Sequence, residues 1–429
     1  MQIENVGRKG CDSANPFLDA DIGSSAYIGG SAYRCEGHRT LQEPPFIVGR
    51  PVTGEYFVDR EEELRRLSCL VQGVQEGASS NSALIGLRRT GKTSVLENLE
   101  LRLKVNARVI PVIVNCYGIA TKSRLAKVIV GGAIDGYVRK TGDKAYLKRL
   151  AKTISDAASS VAERISEAKL AEFSLSLRDK STEEDILIEK ALDFLESMAE
   201  EKDVFFVVML DEFQDVIKWG DGTLKRIRAV VQSQKRVCYV LAGSATTVMR
   251  NLVYDRRSPF YRQLVEVPMT KLDKETAGTF LEARFAVANV KATGHVIEKV
   301  VSLSGGYPDY VQRLGLELYL STGGGGSLTE QGVDRAYEGM VLGLDGEFEN
   351  YFSTFTPLER EILVALATGK IQPSEVAREV RKPIFNISKT LTRLVNYGLI
   401  ERPMKGQYKV TDPVFADWLN RRFKTVAGT

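Results

Sequence analysis

One octapeptide constrains the fold more than any other part of the chain. Residues 86–93 read GLRRTGKT and fit the pattern G-x-x-x-x-G-K-[ST]. The apolar residues 83–85 precede this stretch, and Val95, Leu96 and Leu99 follow it at helical spacing. Glycines allow successive backbone N–H groups to face an anion, and the new helix adds its positive N-terminal end. The sequence therefore predicts a strand, a phosphate-binding loop and a helix, although a turn can also match this pattern by chance.

The loop pattern assigns a role to each of its polar residues. Lys92 is expected to reach the β- and γ-phosphates of a nucleotide and to neutralise their charge, which makes it a candidate catalytic residue. Thr93 is expected to place its hydroxyl on Mg²⁺. The predicted nucleotide-binding residues of this stretch are Gly86, Arg88, Arg89, Thr90, Gly91, Lys92, Thr93 and Ser94.

A second informative stretch is an apolar strand that ends in two carboxylates. Residues 204–210 read VFFVVML and are followed by Asp211 and Glu212. This is the Walker B pattern, in which Asp211 holds Mg²⁺ and Glu212 activates the attacking water. A buried strand followed by a polar loop is the alternative interpretation. Because both patterns occur in one chain, the sequence predicts a nucleoside triphosphatase that uses Mg²⁺.

Three further apolar runs complete the predicted sheet. Residues 108–115, 236–243 and 264–268 read as strands, and helical patterns separate them. Five strands interleaved with helices predict an α/β fold with a doubly wound parallel sheet. Ser244 follows the fourth strand and is expected to sense the γ-phosphate, or alternatively to cap a helix.

The C-terminal residues predict a different module. A helix begins at Thr356, helical patterns cover residues 373–380 and 386–395, and a hairpin surrounds residues 405–406. Three helices and a hairpin predict a winged helix-turn-helix. Residues 351–429 hold 13 Lys and Arg against 7 Asp and Glu, a net charge of +6. Such a charge indicates a nucleic-acid partner; a protein partner is the alternative. The candidate contacts to double-stranded DNA are Lys389, Arg393 and Lys405.

Length and composition set the domain organisation. A chain of 429 residues is long enough for two or three domains, and 43% hydrophobic residues are typical of a globular protein. No apolar run is long enough to span a membrane and no signal peptide is evident, so we expect a cytoplasmic protein without a membrane partner. We predict a disordered tail (1–44), a nucleoside triphosphatase core (45–270) with a charged helix at 151–169, a helical segment (271–350) and the winged helix (351–429).

Several motifs, in their order and spacing, resemble the archaeal-type ATPases of the STAND class, which are AAA+-related P-loop proteins. The resemblance covers residues 46–423. The motifs that carry it are FVDRE at 57–61, the paired arginines of the loop, LDEFQD at 210–215, LAGS at 241–244, SPFYR at 258–262, GYP at 306–308 and YKVTDPVF at 408–415.

The resemblance implies that residues 45–270 are a nucleotide-binding ATPase core, that residues 271–350 are a small helical lid and that residues 351–429 are a winged helix. It implies that Val58 and Arg60 line the adenine pocket, that Pro308 of the lid closes over the nucleotide, and that Ser244 is the phosphate sensor. Relatives often carry Tyr-Gly-Arg where this sequence has Tyr-Arg-Gln at 261–263. Relatives also often have a nuclease-like domain after the winged helix, and we expect no nuclease activity here.

Two functions fit these predictions. The first is a molecular switch that binds ATP, hydrolyses it slowly and uses its nucleotide state to control the winged helix. The second is a DNA-binding initiator or transcription regulator, related to the origin-recognition ATPases, in which ATP is mainly structural.

Overall fold

A computed structural model of the chain describes residues 44–78, 80–146, 148, 165–179, 182–244 and 246–424. The tail predicted at residues 1–44 lies outside the described residues except for Pro44, and so does most of the charged helix predicted at 151–169. None of the described helices is both long and apolar enough to cross a membrane.

A five-stranded sheet forms the centre of the N-terminal half. Its strand order is β2-β3-β4-β1-β5, and all neighbouring strands run parallel. The edge position of β2 accommodates Pro111, which lacks a backbone N–H. The strands are β1 (Ser82–Gly86), β2 (Val109–Asn115), β3 (Phe205–Asp211), β4 (Val237–Gly243) and β5 (Val265–Met269).

Helices cover both faces of this sheet, because alternate strand residues point to opposite sides. Ile85 packs with α3, α5 and α7 on one face, whereas Leu84 packs with α1 and α2 on the other. The predicted α/β class with a five-stranded parallel sheet is therefore confirmed. The helices are α1 (Glu61–Gln72), α2 (Lys92–Leu103), α3 (Lys122–Thr141), α4 (Ile165–Arg178), α5 (Glu184–Lys202), α6 (Gln214–Ile217), α7 (Asp221–Ser233) and α8 (Thr246–Tyr254).

Helices dominate the C-terminal half, where one hydrophobic core joins the lid helices to the last module. Two short strand pairs accompany them: β6 (Val290–Lys291) with β7 (Gly326–Ser327), and antiparallel β8 (Ile400–Glu401) with β9 (Lys409–Val410). The helices are α9 (Lys274–Val287), α10 (Gly294–Ser304), α11 (Pro308–Ser321), α12 (Glu330–Gly343), α13 (Asp345–Ser353), α14 (Pro357–Ala367), α15 (Pro373–Glu379), α16 (Ile384–Asn396) and α17 (Pro413–Lys424).

The last module is held together by aromatic packing between α13 and α17. Phe348 and Phe352 of α13 contact Phe415 and Trp418 of α17, with ring centroids 5.3–6.5 Å apart. The predicted boundary between residues 350 and 351 falls inside α13. We refer to residues 345–424 as the C-terminal module.

Candidate nucleotide-binding site

A cleft of about 420 Å³ lies beside the loop that joins β1 to α2. Its walls come from this loop, from the lid helices α9 and α11, and from residues 44–52, which we call the strap. The predicted site residues that line it are Val58, Arg60, Arg88, Arg89, Thr90, Gly91, Lys92, Thr93, Ser94, Glu212 and Pro308.

Two glycines shape the loop. Gly86 ends β1, and a Cβ at this position would lie 2.4 Å from the Cβ of Met269 on the neighbouring strand β5. Gly91 has a φ of 89°, a left-handed conformation that L side chains rarely adopt, and it immediately precedes α2. The loop can therefore turn its backbone N–H groups into the cleft at the N-terminus of a helix, which is the geometry of an anion site.

Lys92 is a buried cation next to this turn. Its Nζ donates to the carbonyl oxygens of Gly86 at 3.1 Å and Leu87 at 2.8 Å. Burial lowers the pKa of Lys92, an effect that nearby Glu212 and Asp211 oppose. Within the described residues no carboxylate pairs directly with this ammonium group, so its charge is available to a phosphate.

Thr93 and Asp211 form a pair of oxygen ligands at the carboxyl end of β3. The Thr93 hydroxyl donates to Asp211 Oδ2 at 2.6 Å, and Asp211 is 2% exposed. Burial raises the pKa of Asp211. A hydroxyl and a carboxylate at this separation fit Mg²⁺, a hard cation that takes oxygen ligands. Asp211 does not itself line the cleft but reaches it through Thr93.

Glu212 is the centre of a polar cluster with Ser244 and Gln214, of which the sequence predicted Glu212 and Ser244 as site residues. The Ser244 hydroxyl donates to Glu212 Oε2 at 2.7 Å. Gln214 donates through Nε2 to the same Glu212 carboxylate and to Ser244 Oγ, and its Oε1 accepts from the Ser244 backbone N–H at 3.1 Å. Glu212 has a φ of 52°, which is uncommon outside glycine and clusters at functional sites. Gln214 was not among the predicted site residues, although it lies only two residues after Glu212.

Another part of the cleft lining is apolar, as a nucleotide base requires. Arg60 lies beside this wall; its Nη2 donates to the Thr270 carbonyl at 2.6 Å, while its buried Nε has no hydrogen-bond partner among the described residues. The apolar side chains of the wall are Ile47, Tyr56, Phe57, Val58, Leu272, Phe280 and Val311.

The strap closes the cleft between the core and the lid. The Ile47 backbone N–H donates to Gln312 Oε1 of α11 at 3.1 Å, and the Val52 N–H donates to Ser94 Oγ of α2 at 3.1 Å. Ser94, predicted to bind nucleotide, therefore uses its hydroxyl to hold the strap. The strap was not predicted as part of the site, because its residues match no motif.

The lid and the C-terminal module add charged residues that no motif indicated. Pro308 is the first residue of α11, and its neighbour Asp309 accepts from Arg313 Nε at 2.9 Å. Glu347 of α13 also lines the cleft. Asp309 and Arg313 are four residues apart and therefore lie on one face of α11. Only the folded structure shows that this face borders the cleft.

Comparison with known proteins identifies the family of this chain. Residues 57–314 match the model of an ATPase domain found predominantly in Archaea. The protein belongs to this ATPase family. Residues 345–419 match a second family model, a domain of unknown function named DUF8462. No curated protein matches the chain.

Solved structures support the fold of this member of the ATPase family. The Walker-type ATPase PABY2304 of Pyrococcus abyssi is 23% identical, with a TM-score of 0.63 over 88% of this chain and 99% of that one. The Aeropyrum pernix ORC2 protein, solved as ADPNP-ADP complexes, is 13% identical, with a TM-score of 0.55 over 89% of this chain and 97% of that one. These similarities establish an α/β P-loop nucleoside triphosphatase fold.

Proposed function

We propose that this protein is an ATP-binding molecular switch that hydrolyses ATP slowly and needs Mg²⁺. One observation carries the proposal: three separate segments supply the polar groups of the site. Lys92, Thr93 and Glu212 line the cleft. Asp211 and Ser244 are hydrogen-bonded to Thr93 and Glu212. Family membership and the nucleotides in the solved ORC2 structure support ATP as the ligand.

Each residue has a distinct role in the proposed reaction. The loop N–H groups and Lys92 bind the phosphates and neutralise their charge, while Thr93 and Asp211 hold Mg²⁺. Bound Mg²⁺ supplies positive charge to the phosphate oxygens. Glu212 orients the attacking water and accepts its proton, and Gln214 and Ser244 keep the Glu212 carboxylate in place. The base lies against the apolar wall beside Val58 and Arg60.

Two substitutions test this proposal. Lys92→Ala removes the buried cation and is expected to abolish nucleotide binding in a fluorescent-nucleotide titration. Glu212→Gln keeps the shape of the side chain and is expected to retain binding while lowering turnover by about 10²–10⁴-fold. Lys104→Ala, at the exposed end of α2, is the matched control. Unchanged phosphate release in both site variants would contradict the proposed ATPase.

The switch is proposed to act on the C-terminal module, which we interpret as a winged helix of the STAND type. A Cβ at Gly398 would lie 3.2 Å from Leu87 Cδ2 and 3.7 Å from the carbonyl oxygen of Ser244. The module therefore lies directly against the loop and against the end of β4. A change in either is expected to move the module and so expose or hide a partner surface.

The second candidate function is DNA binding by the same module. Lys389 and Arg393 lie on the exposed side of α16, and Lys405 lies in the exposed turn between β8 and β9. Arg393 already pairs with Glu359 at 2.9 Å, and the Lys389 ammonium lies 4.1 Å from the ring centroid of Phe385. DNA binding therefore requires both cations to exchange these contacts for phosphates.

A duplex titration at several salt concentrations tests the second function. If the module binds DNA, Lys389→Ala with Arg393→Ala is expected to weaken binding and to lower the salt slope by about two. The control is Lys127→Ala with Lys225→Ala, two exposed cations of the ATPase core. Binding that is absent, or that does not depend on salt, would favour a protein partner.

A further inference from the structure

Arg89 of the phosphate-binding loop points towards the lid and the C-terminal module. Its Nη1 lies 2.5 Å from Asp309 of α11, and its Nη2 lies 2.6 Å from Glu347 of α13. Its Nε lies 3.8 Å from Asp412, the residue before α17. A single side chain of the nucleotide site thus contacts carboxylates of two other parts of the protein.

Arg89 is the buried partner of these ion pairs, whereas the side chains of Asp309 and Glu347 are 26% and 41% exposed. The Arg89 side chain is 9% exposed, and its guanidinium lies 4.8 Å from the ring centroid of Tyr310 and 5.6 Å from that of Phe348. The neighbouring Arg88 lies 4.7 Å from the ring centroid of Tyr351. Because the Arg89 guanidinium is largely removed from water, its charge is screened less than that of an arginine on the surface.

A second guanidinium completes the cluster. Arg313 contacts Asp309 at 2.9 Å and Glu347 at 3.8 Å. Three carboxylates, those of Asp309, Glu347 and Asp412, therefore share the two guanidinium groups of Arg89 and Arg313. Both arginines and both nearer carboxylates also line the cleft. Phosphates that enter the cleft must compete with these carboxylates for the arginines.

Glu347 differs from Glu212 and Asp309, the other two carboxylates that line the cleft, because it belongs to the C-terminal module. We propose that Glu347 is a specificity-determining residue of the nucleotide site, which disfavours a bound triphosphate while the module is docked. This inference rests on the proposed function, in which the cleft binds ATP and ADP. The γ-phosphate of ATP adds negative charge, so the competition with Glu347 is stronger for ATP than for ADP.

Coupling of this kind acts in both directions. If docking of the module disfavours the triphosphate, the triphosphate weakens docking by the same factor. ATP then draws Arg89 and Arg313 away from Glu347, and α13 loses its polar anchor on the loop. ADP leaves more of these contacts in place. Glu347 thereby links the chemistry of the bound nucleotide to the position of the module.

Matched substitutions on one helix test the proposal. Glu347→Gln removes the charge that contacts Arg89, whereas Glu349→Gln removes the same charge from α13 at a site that pairs with Arg422, at 2.8 Å, inside the module. Affinities for fluorescent ADP and for a non-hydrolysable ATP analogue are measured in the intact protein. Glu347→Gln is expected to raise the affinity for the analogue relative to ADP by about fivefold or more, the lower end of typical coupling between sites. Glu349→Gln is expected to leave this ratio unchanged.

Hydrogen exchange of residues 345–353 provides the second readout. In the wild type, exchange is expected to be faster with the ATP analogue than with ADP, and in Glu347→Gln the two nucleotides are expected to give the same rate. If both nucleotides bind but Glu347→Gln has the same affinity ratio as Glu349→Gln, the inference fails and the proposed ATP site stands. If neither nucleotide binds the wild type, both proposals fail.

Discussion

Among single residues, Gln214 connects the two side chains on which turnover is expected to depend. It contacts Glu212 and Ser244 through its amide group, but it does not line the cleft. Gln214→Ala is therefore expected to lower kcat by about tenfold or more while leaving nucleotide affinity unchanged, because a misplaced general base slows only the chemical step. Steady-state ATPase kinetics and nucleotide titration measure the two effects. Gln75→Ala, on the exposed surface, is the control, and an equal loss of affinity and kcat would contradict a positioning role.

Contacts between residues could be predicted from the sequence only where both residues belong to recognisable motifs. Lys92, Thr93 and Asp211 belong to two short motifs that can be recognised from the order of their residues. The sequence could therefore predict that these three residues lie close together. The partner of Arg89 at residue 347 lies 258 residues away and belongs to no motif. Such a contact forms only when the lid and the C-terminal module fold together. No local sequence pattern predicts it.

At the scale of elements, Asp185 at the start of α5 joins three helices. It accepts from Lys122 of α3 at 2.8 Å and from Thr223 of α7 at 2.7 Å. Burial acts to raise the pKa of Asp185, but these hydrogen bonds outweigh it and hold the pKa below its usual value. Asp185→Asn is expected to lower the free energy of unfolding by about 1–2 kcal/mol at neutral pH, as measured by urea denaturation.

The stabilisation by Asp185 is expected to decrease at acid pH. Because the pKa of Asp185 is depressed in the folded state, its stabilisation is fully present above the unfolded-state pKa of about 3.9 and is lost as pH falls through the folded-state pKa. The difference between wild type and Asp185→Asn should therefore shrink below about pH 4. Glu184→Gln, one residue earlier and exposed, should show no such dependence. A difference that stays constant down to pH 2.5 would contradict this account.

Elements were predictable where the signal is local. The capping box of Thr356 and Glu359 marked the start of α14, and it forms as expected. The sequence predicts no individual helix within residues 330–353, yet this segment forms α12 and α13. In α13 only Phe348 and Phe352 are buried, and they pack against α17 rather than within a long amphipathic pattern. A helix of nine residues with two apolar anchors gains its stability from tertiary packing.

At the scale of the whole molecule, the strap is anchored to the lid by one aromatic side chain and to the core by the hydrogen bond between Val52 and Ser94. Phe46 is 1% exposed and packs edge-on against Phe280 and Phe285 of α9. Gly315 of α11 leaves the space for its ring, since a Cβ at Gly315 would lie 2.5 Å from Phe46 Cε1. The strap in turn lines the apolar part of the cleft. Phe46 and Gly315 therefore influence the shape of the cleft although neither residue lines it.

Gly315→Ala tests whether this packing determines nucleotide affinity. The added methyl group displaces Phe46, and overpacking of this kind costs about 1–3 kcal/mol. Because the strap is also bonded to Gln312 and Ser94, its displacement opens the cleft, and nucleotide affinity should fall by about tenfold. Gly339→Ala on α12 is the matched control, since the nearest atom to its new Cβ is 3.9 Å away. That variant should bind nucleotide normally and be as stable as the wild type or more so, because alanine favours helices over glycine. Equal nucleotide affinity in the two variants would mean that the strap does not shape the binding site.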